Sequence, residues 1–232
     1  MSAKIIVSYD GTANEDDAIA LGRIFRRAGA DVSLAYVRHS VEPDYSGETL
    51  AQNQAEALLD RAAGLLGDPE VTRHVVTDRS TPEGLRKLAA AQGADAIVFC
   101  SDSHTAKGHI AVGNSAQRLL EGGSTAIALA PAGLGDRAAE AGVQRVVAVG
   151  DANGGAQATA EGLAAALGAT VAPVANQDAD LLVIDSRPDA QQGRVSVSSS
   201  ASHLIEIATC PVLVVPRGVT LPFARTTAGA VA

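Results

Sequence analysis

Tryptophan is absent from this sequence, and aromatic residues of all kinds make up only 3% of it. Hydrophobic residues nevertheless account for 47%, mainly as alanine, valine, leucine and isoleucine. Small and branched side chains pack tightly between helices and sheets, but they offer no aromatic surface on which a ligand could stack. The composition therefore favours helix-on-sheet packing over an aromatic binding surface. The length of 232 residues suits one large domain or two small ones.

Basic residues, cysteines and long apolar runs are also scarce. The 18 lysines and arginines face 26 acidic residues, and the net charge of −8 argues against nucleic acid as a partner. Only Cys100 and Cys210 are present, without metal-ligand spacing, which fits a reducing cytoplasm and no disulfide framework. No apolar run reaches the length of a membrane span, and the start MSAKIIVSYD lacks a signal-peptide pattern. We therefore expect a cytoplasmic protein with no membrane partner.

One segment of the chain occurs twice. Residues 94–131 align without a gap with residues 179–216, and residues 4–10 align with residues 145–151. Such self-similarity indicates two related halves, of which the second lacks the part that corresponds to the middle of the first. Identical pairs in the repeat include Ala94 and Ala179, Asp95 and Asp180, Ser101 and Ser186, Gly108 and Gly193, Ser115 and Ser200, Glu121 and Glu206, and Pro131 and Pro216.

Short apolar runs alternate with helical patterns along the first half. Predicted strands lie at 5–9, 32–37, 71–76, 96–99 and 125–130, and predicted helices at 13–28, 48–66, 82–91 and 115–121. Thr81 is placed to cap the third of these helices. The alternation predicts an α/β fold with a doubly wound parallel sheet.

The second half repeats this pattern in a reduced form. Its predicted strands lie at 145–149, 170–174, 181–184 and 211–215, and its helices at 154–167 and 200–207. A sheet of four strands would bury little surface alone, so we expect this half to dock on the first. The domain boundaries predicted are 1–131 for the complete half, 132–144 for a linker, 145–218 for the shortened half and 219–232 for the C-terminal tail. The chain beyond Pro216 is expected to be loosely ordered.

Ligands in a parallel α/β sheet bind beyond the carboxyl ends of the strands, at helix N-termini. Two loops of the first half qualify, at 10–12 after the first strand and at 100–115 after the fourth. Backbone amides there could hold a phosphate, with hydrogen bonds from the side chains of Asn114 and Ser115. A simpler interpretation is that Asp10 caps the first helix and that Asn114 or Ser115 caps the fourth.

Other polar groups have simpler explanations. The acidic run Glu15-Asp16-Asp17 is predicted to interact favourably with the dipole of the first helix. The serines at 198–202 are predicted to provide a redundant helix cap. His104 and His109 are predicted to be solvated, because their spacing is not that of a metal site. The sequence contains no Ser-His-Asp arrangement, Walker loop, HExxH or CxxC motif.

The layout resembles a tandem member of the universal stress protein family. That family carries an aspartate after its first strand, a G-x2-G-x9-G-[ST] motif after its fourth, and a last strand close to CPVLVVP. This sequence has VSYDGT at 7–12 and TCPVLVVP at 209–216. The motif spacing is kept in both halves although most glycines are replaced. The motif positions are Cys100, Ser103, Gly113 and Asn114 in the first half, and Asp185, Pro188, Ser198 and Ser199 in the second.

The resemblance implies a universal-stress-type, Rossmann-like fold duplicated as an intramolecular pseudo-dimer. The last strands form the dimer contact in the family, so strands 125–130 and 211–215 are expected to pair. It also implies adenine-nucleotide binding in the first half, with ATP or AMP as ligand and Mg²⁺ accompanying ATP. The implied contacts are Asp10 to the adenosine, Ser103, Gly113, Asn114 and Ser115 around the ribose and phosphates, and Val37 as an adenine wall.

The second half is interpreted as structural. Pro188 lacks an amide donor, and the carboxylates of Asp185 and Asp189 would repel a phosphate.

The function that the resemblance implies is a stress-response protein in which nucleotide binding regulates rather than drives turnover. The alternative is a universal-stress-type interaction or scaffold protein that has lost nucleotide binding. An enzyme acting on a nucleotide or acyl-phosphate ranks last, since no nucleophile or general base is evident. Besides the nucleotide, we expect a homo-oligomer and an unidentified protein as partners, and neither a metal site nor nucleic acid.

Overall fold

One continuous nine-stranded sheet runs through both halves of the protein. The computed structural model describes residues 2–12, 14–39, 45–138, 142–173 and 179–223. The strands are β1 Lys4–Ser8, β2 Asp31–His39, β3 Arg73–Asp78, β4 Ala96–Cys100, β5 Ala126–Ala130, β6 Arg145–Val149, β7 Thr170–Ala172, β8 Leu181–Asp185 and β9 Val212–Val215. The helices are α1 Glu15–Arg27, α2 Tyr45–Leu66, α3 Thr81–Gln92, α4 Asn114–Leu120, α5 Leu134–Ala138, α6 Gly155–Leu167 and α7 Ser199–Ile207.

The strand order is β3-β2-β1-β4-β5-β9-β8-β6-β7. Neighbouring strands are parallel except β5 and β9, which run antiparallel with Ile127 opposite Val214. The predicted pairing of the two last strands is therefore confirmed, as is the doubly wound α/β sheet. This central pair joins the halves about a pseudo-twofold axis and leaves neither of the two strands as an open edge.

Helices cover both faces of the sheet. Alternating strand residues point to opposite faces, so Ile5 and Val7 lie in one hydrophobic cluster and Ile6 in the other. Side chains of α1, α2 and α6 fill the first cluster, and those of α3, α4 and α7 fill the second. The core consists almost entirely of aliphatic side chains, as the composition predicts.

The two halves use the same hydrogen bonds at equivalent positions. The buried hydroxyl of Ser101 donates to the Ala130 carbonyl at 2.8 Å, and that of Ser186 donates to the Val215 carbonyl at 2.7 Å. Asp95 and Asp180 each accept a backbone amide at the start of their half's first strand, both at 2.8 Å. These shared details confirm that the repeat in the sequence is a repeat in structure.

Several helix starts differ from the prediction. The α3 cap is Ser80, whose hydroxyl accepts the Glu83 amide, and not Thr81. The N-cap residue of helix α4 is Gly113, which provides no side-chain cap, so neither Asn114 nor Ser115 has that role. Ser198 does cap α7, accepting the Ala201 amide at 3.1 Å.

The segments that follow the last strand of each half are also more ordered than predicted. Helix α5 lies within the predicted linker 132–144. Residues 217–223 pack on α6 and are here called the C-terminal strap. Leu221 is 2% exposed and donates its amide to the buried Thr159 hydroxyl at 3.0 Å. The expectation of a loosely ordered chain beyond Pro216 is therefore wrong for the strap, and residues 224–232 lie outside the described residues.

Candidate functional site

A glutamate side chain fills the loop after β1 in the first half. Glu15 is only 5% exposed, and one of its carboxyl oxygens accepts the backbone amides of Asp10 and, at 2.7 Å, Gly11. Burial, reinforced by the neighbouring Asp10 carboxylate, raises the Glu15 pKa to about 9. Glu15 therefore occupies the amides that the sequence offered to a phosphate, rather than acting only on the helix dipole.

The same loop is tied to the loop after β4. Asn14, which takes a left-handed conformation at the start of α1, donates its side-chain amide to the Asp102 carbonyl at 2.8 Å. Asp10 lies exposed at the edge of this junction and accepts the Thr12 amide at 3.0 Å, so it shapes a turn instead of capping α1. The contact links the two loops between which the predicted ligand would lie.

The residues predicted around this site have different surroundings. Ser103 and Asn114 are exposed, and Gly113 and Ser115 are half-buried at the start of α4. Val37 is 7% exposed in the core beneath α3, where a side-chain atom on Gly84 would lie 3.0 Å from it. The structure thus places Asp10 and the start of α4 beyond the ends of the adjacent strands β1 and β4, and Val37 against α3.

An acidic side chain and a thiol near this loop have no sign of a catalytic role. Asp17 accepts the amides of Gly133 and Gly135 at 2.8 and 2.6 Å, which fixes the start of α5 on α1. Burial raises the pKa of the Cys100 thiol, so that side chain is not an activated nucleophile.

A cavity of about 540 Å³ lies at the equivalent place in the second half. It is bounded by the loop from β6 to α6, the loop after β8, the first turn of α7 and the C-terminal strap. The side chains of Arg187 and Arg217 line it, together with Ser198 and Ser200 at the start of α7. Its volume is that of a small-molecule site, and two helices begin at its wall.

Two acidic residues line this cavity, the exposed Asp151 and the less exposed Asp185. Asp185 accepts the Ala156 amide in the first turn of α6 at 2.8 Å, and a side chain on Gly154 would overlap its carboxylate. Asp189 lies outside the set of lining residues and pairs with Arg187, whose Nε is 2.9 Å from it. These local partners reduce the repulsion that the sequence predicts between a phosphate and the carboxylates of Asp185 and Asp189.

Comparison with known proteins agrees with the fold. The sequence model of the universal stress protein family matches residues 1–131. The chain belongs to the universal stress protein family. A universal stress protein from Archaeoglobus fulgidus DSM 4304 superposes with a TM-score of 0.69 at 13% identity, covering 94% of this chain and 100% of that one. A functionally unknown protein from Pseudomonas aeruginosa PAO1 gives a TM-score of 0.58 at 14% identity, covering 94% and 93%. No curated protein matches the chain.

The family match covers only the first half of this universal stress protein, whereas the 540 Å³ cavity belongs to the second. The sequence favours the first half as the nucleotide site because that half keeps all its strands, Asp10 and the motif glycine Gly113. Among the described residues, no helix is both long and apolar enough to cross a membrane. Nor do three or more His, Cys, Asp or Glu side chains of that part of the chain converge as metal ligands would.

Proposed function

We propose that this universal stress protein binds an adenine nucleotide in the cavity of its second half and acts through the bound state. The observation that supports this most is the cavity itself, which combines a volume of about 540 Å³ with two arginines and the first turn of a helix. Arginine and helix N-termini are the groups that proteins use most often for phosphate. In this proposal the bound nucleotide regulates the protein, and hydrolysis of the nucleotide is not required.

The cavity offers the phosphates more than one kind of donor. Arg217 and the Asp189-paired Arg187 line the cavity, and Ser198 and Ser200 contribute hydroxyls and amides at the start of α7. Arg217 is held in place by a 2.7 Å hydrogen bond to the Ala190 carbonyl. A cation held by the protein loses less entropy on binding than a free side chain would. ATP would bring Mg²⁺, and AMP would not need it.

The first-half site inferred from the family motif remains a second location for the same ligand. Binding there, against Asp10 and Ser103 and at Gly113 to Ser115, requires Glu15 to leave its two amide donors. The Asn14 contact to Asp102 would also have to open. The open cavity of the second half needs neither change, which is why we place the nucleotide there.

A matched pair of variants tests the location. Ser115 and Ser200 occupy the same position of the repeat, each in the first turn of its helix, where a glutamate is tolerated by the helix dipole. Ser200→Glu should remove the rise in melting temperature that millimolar ATP with Mg²⁺, or AMP, produces in the wild type. Ser115→Glu should keep that rise, because its carboxylate lies away from the ligand.

The opposite pattern, with the shift lost only in Ser115→Glu, would place the nucleotide in the first half as the motif suggests. A wild-type protein whose melting temperature does not change with either nucleotide would overturn nucleotide binding altogether. The interaction or scaffold function would then take its place. Thermal unfolding without ligand controls for the fold of both variants.

A further inference from the structure

A second cavity, of about 480 Å³, lies between the two halves on the face of the sheet that carries α4 and α7. Its walls are α4, α7 and the short segment that precedes each helix. It is separate from the cavity proposed for nucleotide, since the two have no lining residue in common. No part of the proposed nucleotide function makes use of it.

The two halves line this cavity with the same positions of the repeat. Equivalent residues contribute as pairs, so the pseudo-twofold axis that relates β5 to β9 passes through the cavity. Four aliphatic side chains provide an apolar floor, and two glutamates provide negative charge. The pairs are Val112 with Val197, Leu120 with Ile205, and Glu121 with Glu206.

The charge of the cavity has one sign. Among its lining residues there is no lysine, arginine or histidine. Glu121 accepts the side-chain amide of Gln117 at 2.6 Å, and Glu206 lies 3.9 Å from His203, which is outside the cavity lining. Both carboxylates are exposed at the rim, so each can accept a further hydrogen bond from a bound cation.

We propose that this cavity binds an unbranched aliphatic diamine. Its two ammonium groups pair with Glu121 and Glu206, and its methylene chain lies on the apolar floor between them. A ligand that is symmetric about its centre fits a site built from two equivalent half-sites, and the overall charge of −8 favours the approach of a dication. The aliphatic floor favours the diamine over a bare metal ion, because methylene groups gain from apolar contact whereas a metal ion does not.

The test is titration calorimetry of the whole chain with a series of α,ω-diaminoalkanes in about 10 mM salt, where exposed charges are least screened. We expect saturable binding with a Kd of order 1 mM and an optimum at one chain length. Glu121→Gln and Glu206→Gln should each weaken binding about threefold, and the double variant about tenfold. An n-alkylamine of the same carbon number should bind the wild type about as weakly as the diamine binds Glu121→Gln or Glu206→Gln.

Glu161→Gln provides the matched control. Glu161 is exposed on α6 and accepts the Gln157 side-chain amide at 2.7 Å, so it repeats the local chemistry and the charge change of Glu121→Gln. The proposal is wrong if Glu161→Gln weakens binding as much as the cavity variants do, because a general effect of net charge then explains the affinity. It is also wrong if monoamines and diamines bind equally, or if no diamine binds at about 20 mM.

Discussion

Replacing Gly155 by alanine should destabilise the protein by about 2 kcal/mol, although alanine is the better helix former. Gly155 begins α6, and a methyl group there would overlap the backbone carbonyl of Val219 in the C-terminal strap. Backbone cannot move aside as the end of a flexible side chain can, so the strap must shift as a unit. Urea unfolding of the wild type and the variant measures the change.

The same substitution at Gly64 should have the opposite sign. Gly64 lies in α2 with no atom within 4 Å of the added methyl group, so alanine should stabilise the protein by about 0.5–1 kcal/mol. Hydrogen exchange adds a local measurement, because the Leu221 amide donates to Thr159 and should lose protection only in Gly155→Ala. If the two substitutions changed stability equally, contact between the strap and Gly155 would not contribute to stability.

The strap connects the two halves as well as covering α6. A side-chain atom on Gly162, about two turns further along α6, would lie 3.0 Å from the Phe223 carbonyl. The Phe223 ring stacks on Phe25 of α1 with centroids 5.7 Å apart. Arg217 at the start of the strap lines the 540 Å³ cavity of the second half. Displacing the strap should therefore loosen one wall of that cavity and one contact between the halves.

The fold was predictable because its signals are local. Apolar runs of strand length alternate with helical patterns, and glycines such as Gly29, Gly93 and Gly168 mark helix ends through their left-handed backbone. The pairing of β5 with β9 is not a local signal. It was predictable only from the duplication together with the family resemblance. In the family the last strands of two subunits form the dimer contact, and a duplicated chain can make the same contact between its own two halves.

The arrangement of the site was less predictable because it depends on contacts between distant residues. Asp17 looked like a helix-dipole residue, yet its partners are amides more than a hundred positions away. Asp185 looked like an obstacle to phosphate, but its rotamer directs the carboxylate to the Ala156 amide. Glu121 and Glu206 were visible as an identical pair, whereas the cavity between them exists only after the halves pack together.

The stability of the protein should fall as the pH rises from 5 to 8, partly because of Glu15. Its pKa is raised from its usual value near 4.5 to about 9 by burial in the loop after β1. Over this range the folded state keeps the proton on Glu15 while the unfolded state releases it. The stabilisation from protonated Glu15 is therefore complete below the pKa of the unfolded state and is lost as the pH rises through the pKa of the folded state. The loss between pH 5 and 8 is about 4 kcal/mol.

Glu15→Gln should remove this part of the pH dependence. The glutamine oxygen can still accept the amides of Asp10 and Gly11, but the side chain carries no charge to desolvate. We expect similar unfolding free energies for variant and wild type at pH 5, and a more stable variant at pH 8. Glu161→Gln, at an exposed site on α6, should follow the wild type at every pH. If the unfolding free energies of Glu15→Gln and wild type change with pH in parallel, Glu15 is ionised in the folded protein. The two backbone amides would then hold a buried carboxylate in the way that they would hold a phosphate.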